Sequence, residues 1–212
     1  MEIKKLSEDK YPKLNILVYG PSGNGKTRFG GTVATVAKPL IASAESGLLS
    51  LRKLREELKV DFDYVDIKDF AELEEVYRYF KSPECRHDAL VLDSLTEIQQ
   101  VCMDSILKAE NREKAQMQDW GTLNIRMTKM IRSFRDLGIH FVVTALAARE
   151  KDEETQSFIS QPLLQGKLQD TVAGYFDEVF YLHAAKVKDA QGKEEVRRWL
   201  QTQGTNKVQA KD

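Results

Sequence analysis

The stretch Gly20-Pro21-Ser22-Gly23-Asn24-Gly25-Lys26-Thr27 constrains this chain more than any other, because it has the spacing G-x-x-x-x-G-K-[ST]. That spacing carries meaning only between a buried strand and a helix. Leu14 to Tyr19 reads Leu-Asn-Ile-Leu-Val-Tyr, a short and mostly apolar run suited to a parallel strand, and Lys26 to about Ala37 can form the helix. In this setting the glycines let the backbone close around phosphate groups, and the amides at the helix start aim donors at the anion. Lys26 is expected to reach the β and γ phosphates and the Thr27 hydroxyl to ligate Mg²⁺. The plain alternative is a glycine-rich turn that caps a helix and binds nothing. ATP and Mg²⁺ are the expected ligands, with adenine as a default: Asn206-Lys207-Val208-Gln209 lacks the acid of a guanine-reading motif.

Apolar runs alternate with helical stripes along the rest of the chain, the order of an α/β fold. Pro39 to Ala44 is a second strand and Phe62 to Ile67 a third, with Leu48, Leu49, Leu51, Leu54 and Leu58 between them as a helical stripe. Phe70, Leu73, Val76, Tyr77 and Phe80 share one helical face. Ala89 to Leu92 is a wholly apolar strand that ends at Asp93. A long helical region then spans Leu95 to Leu137, interrupted near Asn111 to Gly121, and Ile139 to Thr144 is a further strand. Residues 147 to 166 read as a long loop. Glu178 to His183 and Glu195 to Gln201 form a hairpin through Gly192 at the sheet edge. The fold expected is one domain over 1–212, a mainly parallel sheet with helices on both faces, in which ligands collect at the carboxyl ends of the strands. Gly20, Glu45, Asp93 and Thr144 fall at such ends.

Asp93 is expected beside the phosphate-loop strand, holding a metal-bound water, although an aspartate here would also suit the cap of the helix starting near Leu95. Ser94 follows it where many ATPases place a glutamate base, so another carboxylate must activate water. Glu45, at the end of Leu40-Ile41-Ala42-Ser43-Ala44, is placed to do so. It would equally suit the dipole of the helix ahead of Leu48.

Lys and Arg total 32 against 33 Asp and Glu, so the net charge of −1 supplies no global attraction to nucleic acid or an anionic membrane. Any DNA contact must come from a local patch. No run approaches the roughly 18 apolar residues of a membrane span, and the chain reads as cytoplasmic. Cys85 and Cys102 read as inert thiols, and the scattered His87, His140 and His183 give no zinc spacing.

The phosphate loop, Ala44-Glu45 and Leu92-Asp93-Ser94 together resemble the RecA-like ATPases. The pattern is most similar to the small phage-encoded members, single-strand annealing recombinases of the Sak type, also labelled AAA-type nucleotide-binding proteins. Further shared features are Trp120-Gly121 before a long helix, Val142-Val143-Thr144, Gly166-Lys167, Tyr175-Phe176-Asp177-Glu178-Val179 and Ala210-Lys211-Asp212. The resemblance implies a RecA-like P-loop NTPase core with an antiparallel C-terminal edge. It makes Glu45 the general base, Asp93 the ligand of Mg²⁺-bound water and Thr144 the sensor of the γ-phosphate. It further implies a ring or filament of identical subunits, in which 203–212 contacts a neighbour and Lys211 reaches the neighbour's ATP; 1–12 is an N-terminal extension. Single-stranded DNA is the implied partner, with a single-strand binding protein as another. The loops implied to bind DNA are 111–118, carrying Arg112 and Lys114, and 147–166, carrying Arg149, Lys151 and Phe158, with Lys167 beyond; nearby acids offset these charges. An adaptor that binds a protein partner is the alternative, and a small-molecule kinase lacks support because no arginine-rich lid segment occurs.

Overall fold

The computed structural model describes residues 13–45, 48–151, 158–188 and 192–212. The extension 1–12 lies outside them. Its sheet is laid down in the order β3 (Asp63–Asp66), β2 (Pro39–Ser43), β4 (Ala89–Asp93), β5 (His140–Lys151), β1 (Asn15–Gly20), β7 (Glu178–Lys188), β8 (Glu194–Gln201). All neighbours from β3 to β7 run parallel, and β8 returns antiparallel to β7 at the edge. The fold is thus a mainly parallel α/β sheet with one antiparallel edge. Its inner strands are apolar on both sides because both sides are covered.

One face carries α1 (Lys26–Gly31) and α2 (Leu49–Leu58), which pack Leu51 and Leu54 on Ile41, Val91 and Val142. The other carries α3 (Phe70–Phe80), α4 (Leu95–Ala109), α5 (Met117–Arg135) and the short α6 (Lys167–Thr171). Here the larger core gathers Leu73, Ile98, Met127, Phe134 and Phe176 on Leu17, Leu92, Phe141 and Val179. Strand alternation decides the assignment: Val91 and Asp93 point to the α1 side, and Leu90 and Leu92 to the other.

α1 ends at Gly31 and a 3₁₀ turn, Thr32–Thr35, completes the segment, so the helix is shorter than the expected 26–37. Gly30-Gly31 followed by Thr32, Val33 and Thr35 is a poor helix-forming run. α4 and α5 are separate helices with the expected break between them. α3 opens on a capping box in which Asp69 accepts from Ala71 N and Glu72 reaches back to the Asp69 amide.

The largest departure lies in 147–166. β5 does not stop at Thr144 but continues to Lys151, and β6 (Phe158–Pro162) pairs antiparallel with that extension, Ala147 opposite Pro162 and Arg149 opposite Ser160. Within the expected loop, 147–151 and 158–162 therefore form a paired antiparallel arm. The C-terminal segment closes onto this arm and onto β7: Ser160 N donates to Lys207 O, Gln209 N to Ser160 O, and Lys211 exchanges both backbone bonds with Val179. The Tyr19 hydroxyl lies 2.8 Å from Ser160 O and 2.6 Å from Gln209 O, joining three distant stretches at the residue before the phosphate loop. Burial pushes its phenol pKa upward. Among the described residues no helix is long and apolar enough to cross a membrane.

Candidate functional site

Gly20 to Thr27 turns from the end of β1 into the first turn of α1. Gly25 takes φ 98°, in the left-handed region where a side chain would be strained. Gly20 lies so close to β7 that a Cβ there would sit 2.0 Å from Leu182 O. The loop is therefore shaped by glycine at both its entry and its exit. Lys26 is buried at the base of α1 and its Nζ donates to Pro21 O at 3.0 Å, so the ammonium sits within the curl of the loop. Burial lowers its pKa, and the charges of Glu45 and Asp93 oppose that shift.

Asp93 ends β4 with only 2% exposure, and both of its carboxylate oxygens are engaged. Thr27 Oγ1 donates to Oδ2 at 2.7 Å, and Thr144 Oγ1 donates to Oδ1 in a short bond. Burial raises the Asp93 pKa; the Thr144 and Thr27 hydrogen bonds pull it back, Glu45 adds to the rise and Lys26 opposes it. The helix-cap alternative for Asp93 does not hold, since the N-cap of α4 is Ser94. The Asp93–Ser94 peptide is cis. The position of Asp93 also differs from expectation, because β5 lies between β4 and β1. The carboxylate reaches Thr27 across β5 at Thr144, which is why Thr144 can join the same cluster.

Glu45 follows β2, and its backbone is fixed by Ala44 N and Glu45 N donating to Asp93 O at 2.7 and 3.3 Å. It is half-buried, and its charge acts on both Lys26 and Asp93. α2 begins at Leu49 and has no acid in its first turn; Glu45 lies ahead of it. Glu45 and Ser43 border a cleft of roughly 580 Å³ that continues past Leu48, Arg52 and Phe62. Lys26, Thr27, Glu45, Asp93 and Thr144 therefore converge at one end of the sheet.

This donor set fits Mg²⁺ with a nucleotide polyphosphate. The ion is small and hard, keeps several waters, and takes few protein oxygens in addition to phosphate oxygens. A helix-start hydroxyl held 2.7 Å from a buried carboxylate offers one direct ligand and one acceptor for a bound water. Among the described residues no cluster of three His, Cys, Asp or Glu side chains is placed to cage a metal by itself. His87 is instead held by Tyr79 and Asp63, and His183 stacks between Tyr181 and Trp199.

The remaining sequence candidates lie elsewhere. Arg112 makes a two-pronged ion pair with Asp119 at 2.9 and 2.7 Å, which ties the α4–α5 turn to the start of α5. Lys114, Arg149 and Lys167 are exposed on the same turn, on β5 and at the first position of α6. The side chains of Lys151 and Phe158 are outside the described residues. Lys211 is exposed and its backbone is bonded to Val179 of its own chain, next to Leu17 rather than to the phosphate loop.

One neighbour of the loop escaped the sequence reading. Arg198 on β8 donates from Nε to Asn24 O at 3.1 Å, and Asn24 Nδ2 reaches Leu182 O at 3.5 Å. The only signal was Arg197-Arg198 in an alternating strand, which places one arginine on each face. No curated protein matches the chain at a significant level. The model of the family described as AAA domain matches residues 12–212, so the chain belongs to that family of AAA-type P-loop ATPase domains.

Proposed function

We propose that this protein is a Mg²⁺-dependent, RecA-like ATPase that acts on single-stranded DNA in phage-type recombination or annealing, as a ring or filament of identical subunits. The observation that carries the ATPase part is the double engagement of Asp93 by Thr27 and Thr144, with Lys26 and Glu45 at the same strand ends. Bound Mg²⁺ would neutralise charge on the phosphates, held directly by Thr27 and through water by Asp93. Lys26 binds the β and γ phosphate oxygens. Glu45 orients water and takes its proton as the water oxygen attacks the γ phosphorus and the β–γ bridging oxygen leaves. Thr144 stands next to Asp93 as the group that registers the γ-phosphate.

Support for DNA as the partner rests on the exposed Lys114, Arg149 and Lys167, which suit phosphate contacts. The exposed Lys211 side chain suits a contact with the ATP of an adjoining subunit, and a single-strand binding protein would be a further partner. A second reading, a nucleotide-gated adaptor for a protein partner, is favoured by Met117, Trp120 and Ile125, which leave 89%, 38% and 70% of their surface exposed on α5. ATP hydrolysis by the purified protein, with and without single-stranded DNA and with Lys26→Ala as the blank, separates the two. Several-fold stimulation by DNA supports the recombination reading; turnover that ignores DNA supports the adaptor.

A further inference from the structure

The consecutive arginines of β8 have different surroundings. Arg197 pairs with Glu195, and on the facing strand Lys186 pairs with Glu194 at 3.1 Å. Arg198 lies opposite Ala184 in register, on the sheet face where Phe180 packs edge-on against Phe29 of α1. Its Nε donates to Asn24 O at 3.1 Å. A Cβ on Gly25 would lie 3.5 Å from that Nε and 3.7 Å from Cδ, so the arginine rests against the peptide that leads into Lys26.

Among the described residues Arg198 has no carboxylate partner, and only its Nε is engaged. An arginine laid on a phosphate loop with the fork of its guanidinium uncommitted is suited to a polyanion. Its planar donors match phosphate oxygens two at a time, and the group stays charged at any working pH. Lys26 is buried within the loop, while Arg198 approaches the same loop from the edge strand.

We propose that Arg198 is a nucleotide-binding residue, contributed by the β7–β8 hairpin of the same chain and contacting the polyphosphate in addition to Lys26. The inference rests on the reading of Gly20 to Thr27 as a nucleotide site. It also couples the edge hairpin to that site, since occupancy of the loop is felt by β8 through a direct ionic contact.

The test is titration of fluorescently labelled ADP and ATP, each with Mg²⁺, against the intact protein, Arg198→Met, Arg198→Lys and the control Arg197→Met. Arg198→Met keeps the length of the stem and removes the charge. It is expected to weaken both nucleotides about tenfold at roughly 0.1 M salt, with the gap narrowing as salt rises. Arg198→Lys recovers part of the affinity, because it restores charge without the fork. Arg197→Met binds as the intact protein does. An Arg198→Met affinity within about twofold of the intact protein overturns the proposal. Equal losses in Arg198→Met and Arg198→Lys that do not change with salt also overturn it, since they describe a brace for the loop rather than a ligand. If the intact protein binds neither nucleotide, the phosphate-loop reading itself falls, and the inference with it.

Discussion

Thr144, within β5, donates a hydrogen bond to Asp93 at the carboxyl end of the adjoining parallel strand β4, and the same carboxylate accepts from Thr27 on α1. A strand, a second strand and a helix thus share one buried carboxyl group. Asp93→Asn removes the charge that burial disfavours while keeping the shape. The folded-state pKa of Asp93 lies above its ordinary 3.8, so the native protein holds the proton more tightly than the unfolded chain. Ionisation of this group therefore costs stability as pH rises through that interval. Without nucleotide, Asp93→Asn is expected to melt no lower than the parent at pH 7, while Mg²⁺-dependent turnover is lost. A melting temperature well below the parent's would contradict the assignment of burial as the dominant influence.

Lys26→Ala is expected to retain the fold and to lower nucleotide affinity or turnover about a hundredfold or more, since it deletes the cation at the centre of the loop. Calorimetric titration with Mg-ATP checks this. Unchanged binding would mean that the loop does not cradle phosphate.

Glu45→Gln separates binding from chemistry. The amide keeps the size of the side chain and cannot accept the proton of water. Mg-ATP should bind with little change, and turnover should fall roughly 10²- to 10⁴-fold. Turnover at the parent's rate would remove Glu45 as the base.

Arg112→Ala is expected to act first on stability. It leaves Asp119, whose side chain is only 3% exposed, without its ion-pair partner, so the melting temperature should fall at pH 7. The guanidinium of Arg112 holds the Asp119 carboxyl below its ordinary 3.8, helped by the Gln116 amide. Stability from a depressed carboxylate is full above the unfolded value and disappears as pH falls through the folded one. The gap between parent and Arg112→Ala should therefore close as the solution is acidified below about 3.8. A gap that persists there points to packing instead.

Thiol labelling offers an independent check on the core. Cys102 is fully buried on α4 and its thiol is pushed up to about 12, whereas Cys85 is partly accessible. At pH 8 in the native state only Cys85 should react with a thiol reagent, and denaturant should release Cys102. Rapid labelling of Cys102 in the folded protein would contradict the placement of α4.

The sequence was most legible where chemistry and local pattern coincide. Leu90-Val91-Leu92-Asp93 and Gly20 to Thr27 are read from neighbours in the chain, and the structure brings Asp93 to Thr27. Legibility failed where structure depends on distant partners. Beyond Thr144 the chain runs Ala-Leu-Ala-Ala-Arg-Glu-Lys, residues with helical preference, and it becomes a strand because β1 pairs with Ala145 and Leu146 and β6 with Ala147 to Lys151. Arg198 is separated by most of the chain from the carbonyl it contacts. Arg112 and Lys114 look alike as basic residues of a turn, and only the fold shows that one is held by Asp119.

β5 is one uninterrupted strand of 12 residues, and it contains both Thr144 and the base of the arm. From Thr144 to Lys151 an extended chain covers roughly 23 Å. No hinge residue such as glycine or proline interrupts that length. The backbone that places the hydroxyl holding Asp93 is therefore the same unbroken strand on which β6 pairs, so the direction of the arm is set at the nucleotide end of the sheet.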